Sequence, residues 1–209
     1  MMDDFKTPPY RGGQEGLVII FSAPSGSGKS TIINYLLEQN LPLEFAVSAT
    51  SRAPRGNEKE GVAYYFLSPQ MFKEKIGKGE FIEYEEVYKD TFYGTLQSEV
   101  ERIRSGGNHV IFDVDVAGAC RIKKYYADSA LSIFIKPPSI EELRKRLNAR
   151  GTETPEMIEK RLSKAAYELG FAPKFDIVII NDVLENAQTE TLHAVQQFIK
   201  KNYTLNATN

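Results

Sequence analysis

Residues 17–39 read L-V-I-I-F-S-A-P-S-G-S-G-K-S-T-I-I-N-Y-L-L-E-Q. The first six form a short continuous apolar run with two isoleucines, the pattern of a strand buried on both faces of a parallel sheet. A glycine-rich turn follows. Beyond it Ile32, Ile33, Leu36 and Leu37 recur at helical spacing and predict a helix over residues 29–39. The turn between them matches G-x-x-x-x-G-K-[ST], with Ala23 standing where the first glycine belongs. Gly26 and Gly28 let the backbone wrap so that several N–H groups point at one anion. The helix that starts near Lys29 adds the positive end of its dipole. Lys29 can reach β- and γ-phosphates, and the Ser30 hydroxyl can hold Mg²⁺. A bare pattern match would leave an ordinary glycine-rich turn competitive. Strand before and helix after put that reading behind. Ala23 fits only if its φ is negative, because alanine is strained at positive φ. Ala23, Pro24, Ser25, Gly26, Ser27, Gly28, Lys29, Ser30 and Thr31 are therefore the candidate residues of a nucleoside triphosphate site.

Outward from this stretch the same rhythm returns. Strands are expected at 109–115, 131–135 and 177–180, and helices at 116–126, 139–150, 154–169 and 184–201. Ser139 and Glu142 form a capping box, Gly151 is a stop, and Thr154 with Pro155 is a start. Alternating strands and helices imply a parallel sheet with helices on both faces, which binds ligands at the carboxyl ends of its strands. Residues 46–94 differ in texture. They hold short strand candidates (63–67 and 81–87), one helix near 69–76, and many tyrosines and glutamates. Residues 1–15, with Pro8, Pro9, Gly12 and Gly13, read as a flexible tail.

Composition excludes several classes. The chain has 209 residues, 42% hydrophobic and 26% charged, with a formal charge of −2. That balance gives no global attraction for nucleic acid or an anionic membrane, so a bound anion must meet a local basic cluster. No stretch approaches a membrane span, and the acidic N-terminus is not a secretory signal. One cysteine, Cys120, allows neither an internal disulfide nor a cysteine-rich zinc site. A cytoplasmic location fits best, and the two glycosylation-type triplets at Asn202 and Asn206 are taken as chance.

The segment V-S-A-T-S-R-A-P-R-G-N-E-K-E-G-V-A-Y-Y-F at residues 47–66 places Arg52 and Arg55 three apart around a proline. Two guanidinium forks at close quarters suit an oxygen-rich dianion, though a solvated basic loop explains them as well. Here the sequence resembles the guanylate kinases, whose signature is S-x-T-[ST]-R-x-x-R-x-x-E-x-x-G-x-x-Y-x-F. The resemblance continues through F-I-E-Y at 81–84, F-Y-G-T at 92–95, D-V-D at 113–115 and R-L-x-x-R-G-T-E-T at 146–154. It implies an α/β fold: a P-loop NTPase-type parallel sheet flanked by helices, with a small mixed α+β GMP-binding lobe and a helical lid. The expected division is a core of 16–45, 96–138 and 170–209, a lobe of 46–95 and a lid of 139–169.

The same resemblance implies that Arg52, Arg55, Tyr64 and Tyr93 hold the phosphate of GMP, and that Ser48, Glu83, Thr95 and Asp115 surround its base. Guanine presents N1–H and a 2-amino group that one carboxylate such as Glu83 can accept together, and an O6 that the Thr95 hydroxyl can serve. Adenine would leave that carboxylate unpaired. Taken alone, Glu83 reads as a surface carboxylate and the tyrosines as core. Arg146, Arg150 and Arg161 are implied as lid arginines on the transferring group. Arg146 and Arg150, four apart, share a helix face, and a Glu142–Arg146 surface pair is the plainer alternative. Lys29, Arg52 and these three are the expected catalytic residues. Ser30, and Asp113 through water, are the expected metal contacts, with Mg²⁺ as cofactor.

The implied reaction is ATP with GMP, and also dGMP, giving ADP and GDP, by a monomer or homodimer that needs no nucleic acid or membrane. Two departures stand out. Ala117 replaces the family's glutamine, and the tract 88–92 is about one residue long. The alternatives are a non-catalytic guanylate-kinase-like interaction domain, and a kinase with another acceptor. Retention of Gly28, Lys29 and Ser30 argues against the first, Glu83 and Thr95 against the second.

Overall fold

The structure is a computed structural model that describes residues 16–151 and 154–206. The expected tail, Thr152 and Glu153 of the R-G-T-E-T motif, and the end of the second glycosylation-type triplet lie outside the described residues. The order of elements is β1 (Val18–Ser22), α1 (Lys29–Leu37), β2 (Leu43–Phe45), β3 (Ala49–Thr50), β4 (Tyr65–Phe66), α2 (Pro69–Gly77), β5 (Phe81–Tyr88) and β6 (Thr91–Leu96). Then follow α3 (Gln97–Ser105), β7 (His109–Asp113), α4 (Val116–Tyr126), β8 (Ala130–Lys136), α5 (Ile140–Arg150), α6 (Pro155–Leu169), β9 (Ile177–Ile180) and α7 (Leu184–Asn206).

One sheet has the order β2-β7-β1-β8-β9, and its registers β2–β7, β1–β8 and β8–β9 are parallel. The other, β4-β3-β6-β5, is mixed: β3 pairs parallel with β4 and antiparallel with β6. The chain divides into two compact units. Among the described residues, one holds 16–17 and 42–111, the other 18–41, 112–151 and 154–206.

In the second unit β1 is buried throughout, as its unbroken apolar sequence requires. Ile32, Ile33 and Leu36 line the buried face of α1. Helices α5 and α6 share a separate cluster of Leu143, Leu147, Ile158, Leu162 and Ala165. Their ends follow the expected chemistry. The Ser139 hydroxyl accepts from the Glu142 N–H at 3.1 Å, Gly151 takes φ 64°, and Thr154 accepts from the Met157 N–H at 3.4 Å ahead of Pro155. Each of the two N-caps is worth about 1 kcal/mol. The Glu142 carboxylate, expected to complete the box, is engaged by Arg146 and Lys145 instead. The strand expected to reach Asp115 stops at Asp113. Asp115 turns out of the sheet because its carboxylate caps α4, accepting from the Gly118 N–H at 2.7 Å.

In the first unit the core is aromatic. Phe72 of α2 stacks on Phe81 of β5 and Phe92 of β6, with centroids 4.3 and 5.3 Å away, over Ala49. The β5–β6 hairpin contains two register slips, between Phe81 and Glu83 and between Glu86 and Tyr88. At each, two residues of β5 face one of β6, which is a β-bulge. The second bulge lies directly before tract 88–92. The turn beyond it places Asp90 at φ 60°, a conformation aspartate tolerates.

His109 is fully buried, and its Nδ1 accepts from the Leu17 N–H at 2.9 Å. Burial lowers its pKa below the ordinary histidine value. The unfolded chain therefore takes up a proton near pH 6.5 that the folded chain refuses. Stability is full above that pH and falls as pH drops through it, by up to about 1.4 kcal/mol per pH unit. Thermal melts from pH 8 to 5 should show this limb, and His109→Asn, which keeps an acceptor near Nδ1, should flatten it.

Candidate active site

The loop after β1 is held open by glycine. Gly26 and Gly28 sit at φ 95° and 89°, where other residues are strained. Among the described residues the only non-glycines at positive φ are Asp90 and Ala127, so Ala23 lies at negative φ as its acceptance requires. The loop is braced from both sides within its unit. A Cβ on Gly26 would meet Leu143 and Leu147 at 3.0 Å, and one on Gly28 would lie 2.2 Å from Asn181 Nδ2. Asn181, just beyond β9 and 4% exposed, donates that Nδ2 to the Ser27 carbonyl at 2.8 Å.

A cleft of about 450 Å³ opens on this loop. Ala23, Pro24, Ser25, Gly26, Gly28, Lys29, Ser30 and Thr31 line it, with Asp113 from the end of β7, Asp115 from the cap of α4, and Arg150, Arg161, Lys164 and Glu168 from α5 and α6. Ser27 turns its side chain into the interior. Lys29 is ion-paired with Asp113, and Arg161 donates to the Ser25 hydroxyl. Burial lowers the Lys29 pKa to about 8, with Glu168 and Asp115 pulling the other way. The lysine is thus an ammonium at neutral pH. Arg146 is not among the lining residues; its Nε is 3.4 Å from Glu142 Oε1, the plainer alternative raised by the sequence.

The other candidates fall in the first unit, except Asp115. Glu83 and Thr95 are register partners, both buried, and the Thr95 hydroxyl donates to Glu83 Oε1 at 3.0 Å. The hydroxyl expected to serve a guanine O6 is thus spent on the carboxylate in this structure. Gly94 makes the pairing possible, since a Cβ there would lie 2.6 Å from the Glu83 carbonyl.

Arg52 Nε donates to the Tyr93 hydroxyl at 3.0 Å, and its guanidinium lies 4.9 Å from the Tyr64 ring centre. The Tyr64 and Tyr93 rings meet edge to face at 5.8 Å. Glu58 takes the fork of Arg52 at 2.6 and 2.8 Å and also accepts the Arg55 N–H at 2.9 Å. The Arg52 pairing, above all, lowers the Glu58 pKa to about 2. The Arg55 side chain is exposed. The Ser48 carbonyl accepts the Tyr65 N–H at 2.9 Å.

Asn181, Lys164, Glu168 and Glu58 stand outside the residues expected from the sequence. Asn181 carried a usable signal, as a polar residue directly after an apolar strand of a parallel sheet. Lys164 and Glu168 follow Arg161 at helical spacing on α6, so they share its face. Glu58 stands in the signature itself.

The family model for guanylate kinase matches residues 15–202. A guanylate kinase of Bacteroides fragilis is 63% identical over 193 residues, covering 92% of this chain and 94% of its own length. One of Porphyromonas gingivalis is 57% identical over 185 residues, covering 88% and 98%. The crystal structure of guanylate kinase from Anaplasma phagocytophilum superposes with a TM-score of 0.69 at 32% identity, covering 89% of this chain and 87% of that one. Motif order, phosphate loop and relatives agree over nearly the whole length: the chain belongs to the guanylate kinase family.

Proposed function

We propose that the family's reaction, phosphoryl transfer from ATP to GMP, is carried in this chain by a donor cleft on the loop at Gly26–Gly28 and an acceptor site built on β3, β5 and β6. The observation that carries the donor assignment is the convergence of Lys29, Arg150 and Arg161 on one cleft floored by that loop. Lys29 draws the β- and γ-phosphates while the loop amides bind their oxygens. Arg150 and Arg161 neutralise charge on the group in transit. Arg146, held by Glu142, receives no phosphate contact in this reading.

Ser30 and Asp113 bring hard oxygen donors to the cleft, and among the described residues no cluster of three metal-ligating side chains exists. Such a sparse set suits Mg²⁺, which keeps its waters and binds largely through substrate phosphates. Bound there, with Ser30 as ligand and Asp113 reached through water, the ion would supply charge neutralisation between the two nucleotides.

On the acceptor side Arg52, Arg55, Tyr64 and Tyr93 receive the GMP phosphate. A phenol that accepts from Arg52, as Tyr93 does, can still donate its own proton to a phosphate oxygen. Glu83, oriented by Thr95, accepts from guanine N1–H and the 2-amino group, with Ser48 as a further base contact. These contacts do not involve the ribose 2′-hydroxyl, so dGMP is accepted too. The acceptor phosphate, with a second pKa near 6, is already largely a dianion, and no general base is needed. Residues 139–169 act as a lid and residues 46–95 as a closing lobe that keep water from the triphosphate. Among the described residues no helix is long and apolar enough to cross a membrane.

A coupled assay supplying Mg²⁺ and ATP with GMP, dGMP, AMP, UMP or no acceptor tests the reading. ADP should form rapidly with GMP and dGMP and at background with the rest. Equal rates with AMP, or release of ADP without acceptor, would remove the guanine assignment.

A further inference from the structure

Residues 46–48 link β2 to β3, and each is tied down by one backbone group. The Ala46 N–H donates to the Ile111 carbonyl at 2.9 Å, the Val47 N–H to Glu99 Oε1 at 3.1 Å, and the Ser48 carbonyl accepts the Tyr65 N–H at 2.9 Å. The middle tie is made by a side chain. Glu99, in the first turn of α3, is 3% exposed and also accepts the Tyr65 hydroxyl on Oε2 at 3.0 Å. Arg102 clamps both of its oxygens, at 3.0 and 3.1 Å, and reaches on to Glu44 of β2 at 2.7 Å. The two arms of Glu99 therefore converge on one residue. One grips Val47, directly before Ser48. The other grips Tyr65, whose own N–H holds the Ser48 carbonyl.

We propose that Glu99 is a positioning residue of the acceptor site, fixing through Val47 and Tyr65 where Ser48 meets the guanine of GMP. The proposal rests on the reading of Ser48 as a base contact. Packing alone does not account for this side chain. A buried carboxylate is costly unless its lone pairs are met, and an apolar residue would fill the same space more cheaply. What the carboxylate adds is a fixed geometry for three chain segments. Burial pushes its pKa up, but hydrogen bonds from Arg102, Val47 and Tyr65 outweigh that and leave it below the ordinary value, so the acceptor form persists. Glutamine would keep the shape but offer one accepting oxygen in place of two.

The test uses the full chain with Glu99→Gln, Ser48→Ala and the double variant, assayed with ATP and GMP. Glu99→Gln should raise KM for GMP about fivefold, leaving KM for ATP and kcat at saturating GMP within about twofold. In the Ser48→Ala background the same substitution should add almost nothing, since the residue it positions no longer makes its contact. Should Glu99→Gln fail to fold, Arg102→Gln replaces it. That side chain is half exposed, its removal loosens the carboxylate, and it should show the same selective and non-additive effect. If Ser48→Ala leaves KM for GMP unchanged, the Ser48 assignment falls and the proposal with it. If Ser48→Ala raises KM but the Glu99 and Arg102 variants do not, or their effects add in full, Glu99 is structural and only the proposal falls.

Discussion

Lys29→Ala should lower turnover by at least about 10³-fold while circular dichroism and the melting midpoint stay near those of the parent. The size follows from the surroundings of the ammonium. Lys29 is paired with Asp113, and both side chains are largely shielded, 18% and 24% exposed. Removing the lysine therefore does more than delete one phosphate contact. It leaves the Asp113 carboxylate uncompensated in a cleft that must receive a triphosphate, so an attraction becomes a repulsion. The fold should tolerate the change because Asp113 retains access to water. The double variant Lys29→Ala/Asp113→Asn separates the two effects. It should recover part of the lost affinity for ATP measured without Mg²⁺, where the carboxylate only repels, but little of kcat. Turnover within tenfold of the parent in the single variant would take Lys29 out of the mechanism.

The second large effect is selective. Glu83→Ala should raise KM for GMP by about 10²-fold, the worth of two hydrogen bonds to a charged acceptor, with KM for ATP within about twofold. Glu83 is 8% exposed and aimed by the Thr95 hydroxyl, so little freedom is lost when guanine arrives. Glu83→Gln should be nearly as damaging, because its amide would face guanine donors with donors. A parallel rise in both Michaelis constants would mean that Glu83 supports the fold rather than reads the base.

Much of this architecture was legible in the sequence. The strand at Val18–Ser22, the helix at Val116–Tyr126 and the strand at Ile177–Ile180 follow from apolar runs and spacing, and the caps of α5 and α6 follow from single residues. What escaped has physical causes. Strands β2 and β3 are three and two residues long, too short for a period of two to register. Helix α3 shows two apolar residues among nine, Val100 and Ile103, amid charge. Strand β6 carries Gly94 at its centre, which reads as a turn but is required by the close approach of the Glu83 backbone. Among site residues, the phosphate loop was visible because its chemistry is local. Asn181 was not, because its partner Ser27 is 154 positions away. Arg146 and Arg150 look equivalent on a helical face, yet one lies on Glu142 and the other lines the cleft. Spacing places a residue on a face and leaves open which neighbour claims it.

The paired slips in β5 bear on how such a hairpin can change over time. Between them Glu83, Tyr84, Glu85 and Glu86 run in step with Thr95, Gly94, Tyr93 and Phe92. A residue inserted toward the tip should be taken up at the outer slip, leaving the pairing of Glu83 with Thr95 in register. In the proposed acceptor site, tip length is thereby uncoupled from the placement of the carboxylate assigned to the base.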